Sequence, residues 1–277
     1  MSAPGIAAQY KDAKIVLWVE DDLTRGYLSA LWLDLDIGFR IGGGNDSIAG
    51  VAEDAWRAGY GHVFGLRDRD FSKTNRDRWS DPSPNLRCYT LETHEFENFL
   101  LDPAALHRCD QHTGGRSLAQ IEDKLQAVAA GMVPWMACRR VIAELSQARM
   151  LDFPKHPKRK AIPTIEAAQS YLNASPWLTT QVHALPGLAA PAAISAQLAT
   201  SHATYQAALQ DGSWRQVFSG KEVFGDLRSF VHPQGKGSEA AVDLAKSVGA
   251  WQRLNHAVPA ELADLRRSLR VRLGLPA

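Results

Sequence analysis

Apolar and polar positions change their period once along this chain. "AKIVLWVE" (13–20) is a continuous apolar run, the pattern of a strand buried on both faces. In "LTRGYLSALWLDL" the residues Leu23, Tyr27, Leu28, Leu31 and Leu35 recur at helical spacing. "DIGFRIGGG" reads as a short strand broken by three glycines. "NDSIAGVAEDAWRAG" reads as a helix that opens at a capping Asn-Asp-Ser and stops at Gly59. "GHVFGLRD" gives a third strand. After the polar, turn-rich "FSKTNRDRWSDPSPN", "LRCYTLE" gives a fourth. "THEFENFLLDP" then predicts a short helix capped by Thr93 and closed before Pro103. Strand and helix alternating at these lengths predict an α/β domain over residues 1–103, a mainly parallel sheet flanked by helices.

Past Pro103 the two-residue alternation disappears. "RSLAQIEDKLQAVAAGM", "PWMACRRVIAELSQARM", "IPTIEAAQSYLNA", "SAQLATSHATYQAALQ", "EAAVDLAKSVGAWQRL" and "PAELADLRRSLRVRLG" all favour helix, punctuated by proline and glycine. Residues 104–277 are therefore expected to be mostly α-helical, as a separate lobe or as helices packed on the sheet. No repeat of fixed period is evident.

Composition alters this picture little. Over 277 residues, 45% apolar and 22% charged, the chain has the make-up of a folded globular protein. A net charge of +1 means that any surface for a polyanion must come from local clustering. Cys88, Cys109 and Cys138 lie far apart without a CxxC pair, and read as incidental thiols in a reducing compartment. No apolar run approaches the ~20 residues of a membrane span. "MSAPGIAAQYKDAK" has no signal-peptide core, so a cytoplasmic protein without membrane contact is expected.

The chemistry concentrates in "FGLRDRDF" (64–71). If its apolar start is a strand, Asp68 and Asp70 point the same way about 7 Å apart, given ~3.3 Å rise per residue. Two like charges on one face repel, and either a solvated loop neutralised by Arg67 and Arg69 or a divalent cation can relieve that. Ligands of parallel α/β sheets bind beyond the carboxyl ends of the strands. Glu20 ends the first strand, so three carboxylates meet at one rim if the strands are neighbours. That matched Glu20 favours the cation. Hard oxygen donors suit Mg²⁺ or Mn²⁺, and such sites bridge phosphate-ester oxygens.

A Glu closing a first apolar strand, followed about 48 residues on by Asp-x-Asp after another, resembles the Toprim domain. That Rossmann-like domain occurs in topoisomerases, bacterial primases and OLD-type nucleases. "RDRDF" followed by "THEFENFLLDP" is similar to a Toprim-related bacterial group with D-R-D-F and E-x-E-N motifs. This group in turn resembles the nuclease component of the PARIS-type anti-phage system, whose partner is an ABC-type ATPase. The resemblance covers residues ~14–103 and extends weakly to "FSGKEVFGDL" (218–227). It implies a nuclease that hydrolyses phosphodiester bonds in DNA or RNA with Mg²⁺ or Mn²⁺, with a phage-defence effector as the expected setting. Glu20 would be the general acid/base or a metal ligand, and Asp68 and Asp70 metal ligands. Glu95 and Glu97 would complete a second metal position, and Lys221 would steady charge on a phosphate. The chain departs from the family's Glu-Gly-x-x-Asp by reading Glu20-Asp21-Asp22-Leu23-Thr24, with Asp21 or Asp22 as the available substitutes. The alternative is a non-catalytic Toprim-like subunit that docks an ATPase.

Four further features carry expectations. Gly42-Gly43-Gly44 lacks a Walker Lys-Ser/Thr and reads as a tight strand-to-helix turn. His94 reads as a polar residue at a helix start, with proton shuttling as the alternative. Lys158, Arg159 and Lys160 in "KHPKRK" form the sharpest basic cluster and are the nucleic-acid-binding expectation, with Arg266, Arg267 and Arg270 of "RRSLRVR" second. Trp79 is placed to stack on a base. A homo-oligomer is left open.

Overall fold

The computed structural model describes residues 10–71, 87–149, 157–181 and 187–276. The strands β1 (Ile15–Val19), β2 (Ile37–Ile41), β3 (Val63–Arg67) and β4 (Cys88–Thr90) form one sheet in the order β2-β1-β3-β4. Every pairing is parallel. The fold is α/β, with helices flanking the sheet and a helical region after it, as the period change predicts. β1 and β3 are neighbours in the register Val16↔Val63, Leu17↔Phe64 and Trp18↔Gly65. The first residues past their ends, Glu20 and Asp68, therefore leave the same edge.

Helix α1 (Asp22–Trp32) follows β1 and stops earlier than its apolar spacing suggests. Leu33 takes a left-handed backbone (φ 45°), and Leu35 is 97% exposed rather than part of the helical stripe. The turn beyond it serves ion pairing instead: Asp34 and Asp36 face Arg270, and Asp34 also takes Arg266. Gly42 to Gly44 form the expected turn into α2 (Asn45–Arg57), with Gly43 at φ 79°.

"THEFENFLLDP" is organised differently from the single capped helix expected of it. Phe96–Leu100 is a 3-10 helix whose cap is Glu95, not Thr93. Pro103 then opens α3 (Pro103–Arg108) rather than merely ending a helix, since its missing N–H is no loss in a first turn. Asp102 caps α3 by accepting from the Ala104 and Ala105 N–H groups.

The chain does not divide into consecutive halves at Pro103. One compact unit comprises the chain up to Ile121 together with Gly220 onward, and the other runs from Glu122 to Ser219. Helix α4 (Leu118–Ala130) carries the chain across that division. It is followed by α5 (Val133–Arg149), α6 (Ile165–Ala174), α7 (Pro176–Gln181), α8 (Pro191–Asp211) and α9 (Trp214–Val217). Within this second unit Arg140 pairs with Glu144, which also accepts from Gln197 of α8.

The last three helices, α10 (Gly220–Val231), α11 (Gly237–Leu254) and α12 (Ala260–Arg272), belong to the sheet-bearing unit. α11 lies so close to α1 that a Cβ on Gly249 would meet the Tyr27 carbonyl oxygen at 2.8 Å. There the Tyr27 hydroxyl donates to Gln252 at 2.6 Å, and the Gln252 amide donates to the Phe99 carbonyl and to Asp102. This buried network fixes the 3-10 helix against α1 and α11. Among the described residues no helix is long and apolar enough to cross a membrane.

Candidate metal centre

The sheet edge gathers carboxylates because each strand end hands the chain to a segment that the others hold. Asp68 sits directly after β3, and its Oδ1 accepts the Phe96 N–H at 2.9 Å, which ties the Asp-x-Asp turn to the 3-10 helix. Two residues on, Asp70 adopts a left-handed backbone (φ 50°), a conformation that aspartate tolerates better than most residues. Its N–H donates to the His94 carbonyl at 2.8 Å. Glu95 caps the 3-10 helix, and its own N–H donates to Asn98 Oδ1 at 2.9 Å. Its Oε2 accepts the Lys221 N–H at 2.9 Å, from the first turn of α10.

Gly220 makes that last contact feasible. A Cβ there would lie 2.4 Å from the Asn98 nitrogen, so only glycine lets the start of α10 come this near. The Gly-Lys pair therefore has a physical reason: Gly220 for approach, Lys221 for charge.

Electrostatics report how crowded the rim is. The Asp68 carboxyl is pushed well above the usual carboxylate range by burial first, then by Glu97, Glu20, Asp70 and Glu95. Glu97 is raised from 4.5 to about 7 by burial, with Glu95 adding to it. Glu20 is raised by burial, opposed by Lys221, with Asp21, Asp70 and Glu95 raising it further. At Lys221 burial disfavours the ammonium, but Glu97, Glu20, Glu95 and Asp21 outweigh it and hold the proton more firmly. Six residues expected from sequence, Glu20, Asp68, Asp70, Glu95, Glu97 and Lys221, thus act on one another within the sheet-bearing unit.

His94 was not among the expected ligands, and it joins them. It stands just before the capping Glu95, the expected place at a helix start, but it is buried (1% exposed), and its ring packs T-shaped on Phe71 with centroids 4.7 Å apart. Ligand atoms of Asp70, His94 and Glu95, one from each, all lie within 4.8 Å of one another. The signal in the sequence was slight: a histidine immediately before the acidic pair.

The other expected residues divide between the two units. Asp21 caps α1 by accepting the Thr24 N–H at 2.9 Å, and Asp22 pairs with Arg25, so both acidic substitutes have local structural partners. Arg67, a candidate neutraliser of the Asp-x-Asp turn, donates to Thr90 at 2.7 Å. Lys158, Arg159 and Lys160 lie in the second unit around a 3-10 turn, with both lysines exposed. Arg266 and Arg270 are engaged by Asp34, whose side chain is only 5% exposed, and this helix face serves the fold. Arg267 pairs with Asp264 on the surface. Trp79 lies outside the described residues.

The donor set suits a hard divalent cation. Buried carboxylates concentrated against a single rim carry an unfavourable charge that such an ion would relieve, and oxygen is the donor type Mg²⁺ and Mn²⁺ take. No family model, curated protein or solved structure matches the chain.

Proposed function

We propose that this chain is a metal-dependent endonuclease with a Toprim-like site, hydrolysing phosphodiester bonds in DNA or RNA. Support comes chiefly from one observation: five carboxylates at the carboxyl end of a parallel sheet, coupled strongly enough that burial and mutual repulsion raise Asp68 and Glu97. Asp68, Asp70, Glu95 and Glu97 would hold Mg²⁺ or Mn²⁺. When bound, such an ion neutralises phosphate oxygens and acidifies water. Glu20, whose carboxyl has a raised affinity for protons, would take the proton from the attacking water as the new P–O bond forms, and the ester bond would break with the leaving oxygen taking a proton from solvent. The Lys221 ammonium, kept protonated by the surrounding glutamates, faces the charge that develops on the phosphate. In a cell the nuclease would act as a phage-defence effector beside an ABC-type ATPase.

The test is a panel of single- and double-stranded DNA and RNA, incubated with Mg²⁺ or Mn²⁺ and native protein, Glu20→Gln or Asp68→Asn. Cleavage by native protein alone, with all three equally folded, is the expected result. Intact substrates throughout, or a Glu20→Gln protein that cuts as well as native, would overturn the assignment.

A second reading, a non-catalytic subunit that docks the ATPase, draws on the engagement of Asp21 as a helix cap and of Asp22 with Arg25. Those contacts give both acidic residues that follow Glu20 a structural role, although Asp21 still adds its charge beside Glu20. The same panel decides between the readings, since a docking subunit cuts nothing while still binding its partner.

A further inference from the structure

We infer that Asp70, His94 and Glu95 form a nitrogen-bearing cation position within this rim, one that selects first-row transition ions over Mg²⁺. The inference rests on the rim being a cation site, not on its cutting nucleic acid.

Geometry brings the three side chains together. Their ligand atoms fall within 4.8 Å of one another. An ion with bonds of about 2.1 Å places adjacent donors about 3 Å apart and opposite donors about 4.2 Å apart. Small rotamer changes therefore close the triad on one ion. Glu95 is already oriented for this. Its Oε2 accepts the Lys221 N–H at 2.9 Å, while Oε1 lies 3.8 Å from His94 Nε2.

The backbone and the core hold the ligands in place. Asp70 and His94 are tied by the hydrogen bond from the Asp70 N–H to the His94 carbonyl. The imidazole is buried, with the edge contact to Phe71 limiting its rotation. A histidine held in this way meets an ion without ordering a mobile side chain, so little conformational entropy opposes binding.

Donor chemistry then sets the selectivity. Mg²⁺ takes oxygen ligands and gives up its waters reluctantly. Imidazole suits Co²⁺, Zn²⁺ and their neighbours, whose affinities for such a site rise from Mn²⁺ to Cu²⁺ and fall back at Zn²⁺. Glu20, Asp68 and Glu97 offer only oxygen, so the triad gives one side of the rim a different preference. A purely acidic rim would have no such asymmetry.

The experiment uses the full chain stripped with chelator. Co²⁺ binding is followed by its visible absorption, and Mg²⁺ binding by competition. Bound Mn²⁺ is examined by pulsed EPR for nitrogen coupling. Native protein should bind Co²⁺ more tightly than Mg²⁺ and show directly coordinated nitrogen. His94→Gln should weaken Co²⁺ at least tenfold, change Mg²⁺ less than about threefold and lose the nitrogen signal. Equal weakening of both ions would make His94 a structural residue, and unchanged Co²⁺ affinity would remove it from the site; either overturns the inference. If His94→Gln fails to fold, the native EPR spectrum decides alone, and absence of nitrogen coupling overturns the inference. A protein that binds Co²⁺ through His94 yet cuts no nucleic acid would sink the nuclease reading and leave this one standing. Cleavage with Mg²⁺ and no nitrogen coupling would do the reverse.

Discussion

Glu97 offers the sharpest test of the charge argument. The residue is 7% exposed, and its carboxyl is raised from 4.5 to about 7 by burial, then by Glu95. A folded-state pKa above the unfolded one means that the folded chain binds the proton more tightly. Stability is then fullest below about pH 4.5, falls as pH rises through about 7, and stays low above it. At about 1.36 kcal/mol per pKa unit, this rise corresponds to about 3 kcal/mol between the two limits. Asp68, raised by the same causes, slopes the same way. Glu97→Gln keeps the shape and removes the ionisation. Metal-free Glu97→Gln should therefore melt about 5–10 °C above native at pH 8, converge with it near pH 5, and respond less to added Mn²⁺. Melts of the full chain in chelator, at steps between those pH values, check this. Native and Glu97→Gln curves that stay parallel across that window would show that Glu97 carries no such strain, and the crowding argument would fail with it.

Gly220→Ala would press a Cβ against the Asn98 backbone and should cost about 1–3 kcal/mol in urea unfolding while displacing Lys221. Its loss of metal response should exceed that of an equally destabilised variant elsewhere. Arg270→Ala removes a partner from buried Asp34 and should cost about 2 kcal/mol, with nucleic-acid affinity unchanged, as read by melting and by filter binding. Neutralising Lys158, Arg159 and Lys160 together should weaken binding across sequences and flatten the salt slope by roughly two units, with metal binding intact. An unchanged slope would make that cluster solvated surface.

The sequence alone determined the local elements and the chemical types. An unbroken apolar run needs two covered faces, so Ile15–Val19 and Val63–Arg67 are buried parallel strands, and the residues after them fall at the ligand edge. Asp68 and Asp70 stood out as candidates because their spacing is short and the chemistry follows from residue type, whereas Glu95 and Glu97 entered only through the resemblance to the E-x-E-N motif. What the sequence could not supply was the meeting of distant segments. Leu35 kept helical spacing yet stands in solvent, because Asp34 and Asp36 turn toward arginines more than 200 positions away. The same long-range pairing engages Arg266 and Arg270 with Asp34. A boundary drawn at Pro103 followed a change of period, but period reports which helices have an apolar face, not which surface that face covers. Only the fold brings Gly220 against Asn98, Gln252 onto Tyr27 and Asp70 beside a buried His94. Those contacts depend on close packing between elements far apart in the chain, and close packing is a property of three-dimensional shape that no local pattern encodes.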